Sequence, residues 1–549
     1  MQMSAEEKNS VHRDGFVLAR LPHLELYFYY AIWIAHSFGA LLLVYKITYD
    51  LQRTMQTWLP RSDYLPSYHI DTSDPEWSFY RVALPQMLFA NFAHTGVFFA
   101  VPRLFSKRTS QYILIAFWLA VQLYLNSLKC LLTFAVLAIS AVIASIFSHT
   151  QLFAWVFCIS FVMKANRYAP FSPDPRIYYR EFNFYLYGAI KVLNFCIHLT
   201  RNKVALLNEA MFIRYMQYLL YPPYTSMLIV LYEDFDKQMA DVEQQQETKK
   251  GMLPSSFSSF ISTELIWKLA RLVIWYFAFE LVLHFIYVHS FFNVPFSPFN
   301  RFSNYELAAT AYVHGQMFFW KYVIIFGVPS WFALVDGMTP PKPPICISRV
   351  SRYSRMWRYF DRGLYQFLKI QVYMPLMGDL NGAYVRWRRL AAMAGAFMFV
   401  LAWHGTSSNY VCWVLLSGSE LCIEWIGYAI ARTSAWGKFS LMIGHRNQRR
   451  VIAFAMLATV IPGIFGVFFF LGRDGFGQLV FKKVLIDGLT DALHFRITLN
   501  ASIPSAGFVF VHLILLGYCF NQVCLQLDES INKDDEQSNA DKRLNEIIS

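Results

Sequence analysis

The sequence predicts an all-α, polytopic membrane protein, and three observations carry that prediction. Of its 549 residues, 56% are hydrophobic and only 15% are charged, whereas a soluble domain ordinarily carries about a quarter charged residues. The depletion runs along the whole chain, as apolar stretches of roughly the 20-residue length that a helix needs to cross a bilayer. The basic residues behind the formal net charge of +12 cluster between those stretches, as in cytoplasmic loops beside anionic headgroups. That placement argues against nucleic acid as a partner and for membrane lipid. No long stretch remains for a soluble domain.

A cytosolic polar tail, residues 1–22, precedes the run ELYFYYAIWIAHSFGALLLVYKI (25–47). The tail has no cleavable signal pattern, so the first span serves as the insertion signal. A second span is expected near 78–101. The apolar tract 111–147 is too long for one crossing and divides near Asn126 and Lys129. Residues 151–164 have the length of a half-span, and 182–200 read as an amphipathic helix lying in the interface. Within 211–233, Pro222-Pro223 breaks a helix at depth. Residues 234–261 read as an internal loop.

Spans follow at about 263–290 and 306–334, then a Pro- and Arg-rich stretch and the short, Pro-terminated segment LYQFLKIQVYMPLMG, which reads as re-entrant. Later spans are expected near 390–416, 419–431, 450–472 and 503–525, with a disordered polar tail over 526–549. This makes roughly nine to eleven transmembrane helices with two or three re-entrant segments, in a single multi-span domain over 23–525. The eight cysteines show no metal-type spacing, and Cys130, Cys158, Cys196 and Cys519 lie inside apolar runs, which argues against a disulfide framework.

Two residues stand out chemically. His404 lies in AFMFVLAWHGTSSNYVCW, about 22 Å along a helix counted from Arg389. Ionisable groups at membrane depth are costly and usually functional. A packed histidine is the plainer alternative, and His36, His94, His284, His314 and His512 occupy similar contexts. The polar run Thr406 to Asn409 beside His404 would be expensive in lipid and suits a cavity wall. Asp361 follows Arg349, Arg352, Arg355 and Arg358, a basic stripe that suits either a positive-inside loop or a mouth attracting the phosphates of a coenzyme A thioester.

On these residues the chain resembles the membrane-bound O-acyltransferase (MBOAT) superfamily, which pairs an Asn or Asp with an intramembrane His some tens of residues later. It is most similar to the hedgehog acyltransferase branch, the protein-cysteine N-palmitoyltransferases. DPEWSF (74–79), KYVIIFGVPSWFALVDGMTPP (321–341), CISRVSRYSRMWRYFDRGLYQFLKIQVYMP (346–375) and the WHG at 403–405 carry the resemblance. It implies an MBOAT fold around a membrane-crossing tunnel, in a multi-pass protein of the endoplasmic reticulum membrane or Golgi. It also implies transfer of palmitoyl from palmitoyl-CoA to the N-terminal cysteine of a secreted, lumenal hedgehog-like protein by a monomer.

Carried over residue by residue, His404 and Asp361 match the catalytic pair. Trp357 and Arg358 match positions flanking the acyl-CoA entrance. Cys346 falls where this branch ligates haem b through the iron. The rival readings are an MBOAT O-acyltransferase or remodeller acting on a lipid or serine side chain, and a non-catalytic acyl-CoA-binding regulator. A transporter would show paired broken helices in two halves, and no such repeat is evident.

Overall fold

The computed structural model describes residues 18–168, 171–248, 262–293, 298–378, 384–472, 475–499 and 504–548. The helices are α1 (His23–Met55), α2 (Pro75–Leu104), α3 (Lys107–Leu125), α4 (Leu128–Ser148), α5 (Leu152–Tyr168), α6 (Pro175–Arg201), α7 (Glu209–Leu220), α8 (Tyr232–Thr248), α9 (Thr263–Val282) and α10 (Asn304–Val335). The short α11 (Tyr353–Tyr359), α12 (Arg362–Phe367) and α13 (Met374–Met377) follow, with a π-helical turn, Leu368–Tyr373, between the last two. Then come α14 (Val385–His404), α15 (Ser408–Ala431), α16 (Ser434–Ile443), α17 (His445–Ala455), α18 (Leu457–Leu471) and α19 (Phe476–Val480). A second π-helical turn, Phe481–Ile486, leads to α20 (Asp487–Leu493) and α21 (Ala506–Ile548).

Among the described residues, seven helical stretches are long and apolar enough to cross a membrane: α1, α2, α4, α10, α15, the joined α17–α18, and α21 up to Asp528. The higher expected count included α3, α9 and α14, which have 19, 20 and 20 residues and fall short in apolarity rather than in length. The tract at 111–147 divides where expected, with Ser127 capping α4 through the Cys130 amide. Pro222-Pro223 does end α7, and an extended segment leads on to α8.

The structure corrects five readings. The stretch taken as an internal loop at 234 begins inside α8, and the rest of that stretch, 249–261, lies outside the described residues. Helix α6 is not interfacial but buried almost all round, because its polar groups find partners inside the protein. Glu181 accepts from the Ser127 and Ser172 amides, and Lys191 Nζ donates 2.9 Å to the Tyr218 carbonyl.

The expected continuous span over 390–416 is two helices meeting at Gly405, whose φ of 109° leaves the helical region. The C-terminal boundary at 526 falls too early: Asp528 is buried and paired with Arg352 and Arg355, and the helix continues to Ile548. At the other end Leu21, assigned to the polar tail, is buried, and the Ala19 carbonyl accepts from Arg449; residues 1–17 of that tail lie outside the described residues.

Motifs distant in sequence are tied together by buried polar contacts. Asp74 caps α2 by accepting from the Glu76 and Trp77 amides, with Pro75 at the first helical position where its missing N–H costs nothing. Lys321 of α10 reaches Asp74 at 2.7 Å and Glu76 at 2.8 Å, and Tyr322 donates to Glu76. Asp336 at the end of α10 accepts from His94 Nε2 at 2.8 Å, from Tyr221 and from Thr95. Trp118 donates to His94 Nδ1, which fixes the tautomer.

The His94 and Asp336 side chains are completely buried. Removing one partner of such a pair leaves the others unsatisfied and costs about 3–5 kcal/mol. Asp336→Ala is therefore expected to lower the apparent melting temperature of detergent-solubilised protein clearly, followed by tryptophan fluorescence. Asp63→Ala, at an exposed loop position outside both clusters, should leave it within error.

Candidate active site

A cavity of about 800 Å³ runs between α1, α10, the α11–α12 turn, α14, α15, α18 and α21. Its walls are overwhelmingly apolar and aromatic. Among the described residues, Asp361 is the only carboxyl-bearing one lining it, no lysine or arginine lines it, and its imidazoles are His36, His404 and His512. Asp361 and His404, distant in the chain, thus share one space. The structure also selects three of the fourteen histidines, where the sequence left several equivalent.

Asp361 stands where the chain turns between α11 and α12. Its Oδ1 accepts from the Leu364 amide at 2.9 Å, capping α12. Tyr353, Trp357 and Asp361, spaced four apart, line the cavity together. Close packing holds this turn from behind: a Cβ on Gly363 would sit 2.3 Å from the Ile229 carbonyl oxygen, on the extended segment that follows the Pro222-Pro223 break. The broken helix therefore has a use, since it provides the flat backbone against which the Asp361 turn packs.

His404 is the last residue of α14, and Gly405 ends the helix there. Aromatic rings box the imidazole: Trp413 at 5.2 Å and Phe470 at 5.1 Å, both edge-on, and Tyr410 at 6.0 Å. The same rings lead back towards Asp361. Trp357 stacks on Trp413 at 5.6 Å, and Phe360 stacks on Phe318, which meets Phe470 edge-on. Tyr187 of the buried helix α6 closes the wall against Trp403. Such rings exclude water, which strengthens every electrostatic interaction inside.

The remaining sequence candidates fare differently. Trp357 lines the cavity; Arg358 does not, and its guanidinium lies over Tyr359 and Tyr365. The basic stripe is not a free phosphate trap, because Arg352 and Arg355 are paired with Asp528 from α21. The polar run beside His404 is no cavity wall either: Thr406, Ser407 and Ser408 are exposed at the helix break, and Asn409 bonds to Gly472 and Gln478.

Sequence reasoning missed Glu420, fully buried on α15 with neither carboxylate oxygen hydrogen-bonded among the described residues, and the Gly463 that leaves room for it on α18. A glutamate inside an apolar run was the available signal.

Cys346 precedes the 3-10 turn Ile347–Arg349; Ile347 and Ser348 line the cavity, and Cys346 itself does not. Burial pushes its thiol above the ordinary range. The buried Nε of Arg349, three residues on, has no hydrogen-bond partner among the described residues. A thiol near a guanidinium N–H that lacks a partner among the described residues is a donor set whose chemistry suits an iron and a carboxylate, the two groups a haem would offer.

The fold and site define a class: a polytopic helical membrane protein in which broken helices hold a carboxyl and an imidazole on one aromatic cavity. The chain belongs to the membrane-bound O-acyltransferase (MBOAT) family, whose model matches residues 107–437, a span that includes both Asp361 and His404. It is 29% identical over 260 residues to the protein-cysteine N-palmitoyltransferase Rasp of Drosophila melanogaster, covering 47% of each chain. It is 36% identical over 157 residues to the protein-cysteine N-palmitoyltransferase HHAT of Mus musculus, covering 28% of this chain and 30% of that one. An HHAT-like protein of Mus musculus is 22% identical over 268 residues, covering 49% and 48%. The chain thus matches about half or less of the length of these curated relatives.

If the Gly363–Ile229 contact sets the Asp361 turn, Gly363→Ala must push two backbones apart. It is expected to abolish acyl transfer while Gly427→Ala, where an added Cβ meets nothing within 4 Å, leaves it unchanged. Initial rates on purified protein, normalised to abundance, check this.

Proposed function

We propose that the protein transfers a long-chain acyl group, palmitoyl, from acyl-CoA to the N-terminal cysteine amine of a secreted hedgehog-like protein. The observation that carries this is the convergence of Asp361 and His404 on one aromatic cavity whose apolar walls suit an acyl chain. Each buried methylene contributes about 0.8 kcal/mol. Family membership and the names of the relatives support the reaction class; the acceptor, the palmitoyl preference, the monomeric state and the endoplasmic reticulum or Golgi membrane are part of the proposal.

The acceptor amine attacks the thioester carbonyl, the carbon–sulfur bond breaks, and coenzyme A leaves with a proton. His404 acts as general base on the attacking amine or donates to the developing oxyanion. Asp361 orients the amine and stabilises positive charge on it. An α-amino group of pKa near 8 is already partly neutral at pH 7, so positioning and oxyanion stabilisation outweigh raw basicity. Trp357 stacks beside His404 on Trp413 and walls the acyl-CoA path. Cys346 with Arg349 would hold a haem b, which would add rigidity around the 346–349 turn and would take no part in acyl transfer.

His404→Ala, at wild-type abundance, is expected to lower acyl transfer to an N-terminal-Cys peptide by about 100-fold or more. The same peptide N-acetylated should go unlabelled by the wild type, and the product should resist hydroxylamine. Equal labelling of both peptides, or a hydroxylamine-labile ester, would replace this reading with an O-acyltransferase. For the haem, purified protein should show a Soret band that Cys346→Ala abolishes without changing its elution volume.

A further inference from the structure

Far from Asp361 in the chain, the cavity has a second polar station, built by α1, α10 and α21. His36 Nδ1 lies 2.8 Å from the Ile32 carbonyl oxygen, which can only accept, so Nδ1 carries a hydrogen. The neutral ring therefore presents a lone pair at Nε2. His512 Nε2 stands 2.9 Å from it and must donate, which leaves His512 Nδ1 to accept from the Tyr305 hydroxyl at 2.6 Å. One oxygen anchors the whole chain of tautomers.

The order of the bonds has a consequence. Every imidazole lone pair in the chain is already filled, and the one atom still open to a new proton is the Tyr305 oxygen. A proton arriving there displaces the Tyr305 hydrogen to His512 Nδ1, and the His512 Nε2 hydrogen passes on towards His36. The end state is one positive charge shared across the 2.9 Å between the two Nε2 atoms. Tyr305 is the second residue of α10 and His512 the seventh of α21, near the end at which both helices begin.

We propose that Tyr305, His512 and His36 form a proton-accepting station that neutralises a primary ammonium as the acceptor enters the cavity. The proposal rests on the reading of the acceptor as an amine. An ammonium is costly to bring into an apolar cavity, whereas the amine is not, and only the amine is nucleophilic. At the station the ammonium N–H bond breaks, the proton goes to the Tyr305 oxygen, and the pair His36–His512 holds the charge. After amide formation the proton returns by the same route to solvent. Tyr305 contacts the substrate; the two histidines act through it.

Few other charges face the station. From α1 the neighbouring lining side chains are Trp33 and Ser37, and Ser37 bonds to Tyr312 of α10. Glu306 of α10 is turned to the Ser303 amide. The π-helical turn Phe481–Ile486 carries Lys482 and Lys483, and Lys483 donates to the Asn300 carbonyl. Helix α20 carries Asp487 and Asp491, the latter 3.9 Å from Arg496.

The experiment compares wild type, Tyr305→Phe and His512→Asn in full-length, detergent-purified protein. Two acceptor peptides are used, one with an N-terminal cysteine amine and one with an aminooxy terminus, which is uncharged at neutral pH. At pH 7 both variants should lose about tenfold or more in kcat/KM on the amine peptide, retain wild-type rates on the aminooxy peptide, and recover on the amine peptide at pH 9. No loss, or an equal loss on both peptides at both pH values, overturns the station while leaving the acyl-transfer reading intact. A wild type that acylates the N-acetylated peptide equally well overturns both, and that control alone identifies the second case.

Discussion

Irregular backbone at membrane depth is tolerated only where it is buried in protein or lines a cavity, and this constraint governs the protein. The chain breaks helices at Pro222-Pro223, at the Asp361 turn and at Gly405, and each break adjoins the cavity wall or packs against it. The Ile229 carbonyl against Gly363 shows the dependence most directly. One broken helix supplies the surface on which another break is shaped. Asp361 and His404 both sit at such breaks, one at the start of α12 and the other at the end of α14.

Around that cavity the polar contacts do a different job. The Lys321–Asp74–Glu76 cluster and the Asp336–His94–Tyr221 cluster are internally paired, and the first reaches the cavity wall only through Tyr322. They join α2 to α10 and to the segment after α7, so they hold the frame in which the broken elements are placed. The motifs DPEWSF and KYVIIFGVP, far apart in sequence, are partners across one ion cluster. Their role is architectural, whereas the MWRYFD and WHG motifs bring Asp361 and His404 onto the cavity.

The distribution of charge in the cavity explains the division of labour proposed for it. With a single carboxyl-bearing residue and no lysine or arginine among the described residues of its walls, the space is hostile to an ammonium and hospitable to an acyl chain. His404 sits among rings with no hydrogen-bond partner among the described residues, free to meet a reacting group. His36 and His512, by contrast, are tied into a directed chain. Two environments therefore suit the same side chain to two tasks.

Much of this was legible in the sequence. Composition and run length determined an all-α multi-span protein, Pro222-Pro223 marked its break, and Asp361 and His404 could be picked out because charge and imidazole in apolar runs are costly. Helix ends and side-chain partners were not legible, because hydropathy averages over a window and does not see neighbours. Gly405 turned a presumed span into two helices, and Asp528 took up the arginines that looked free for phosphate. Helix α6 looked amphipathic because its polar face meets protein rather than water. Only the tertiary structure brought His36 to His512, residues 476 positions apart, since their contact depends on the antiparallel packing of the first and last helices rather than on any local pattern.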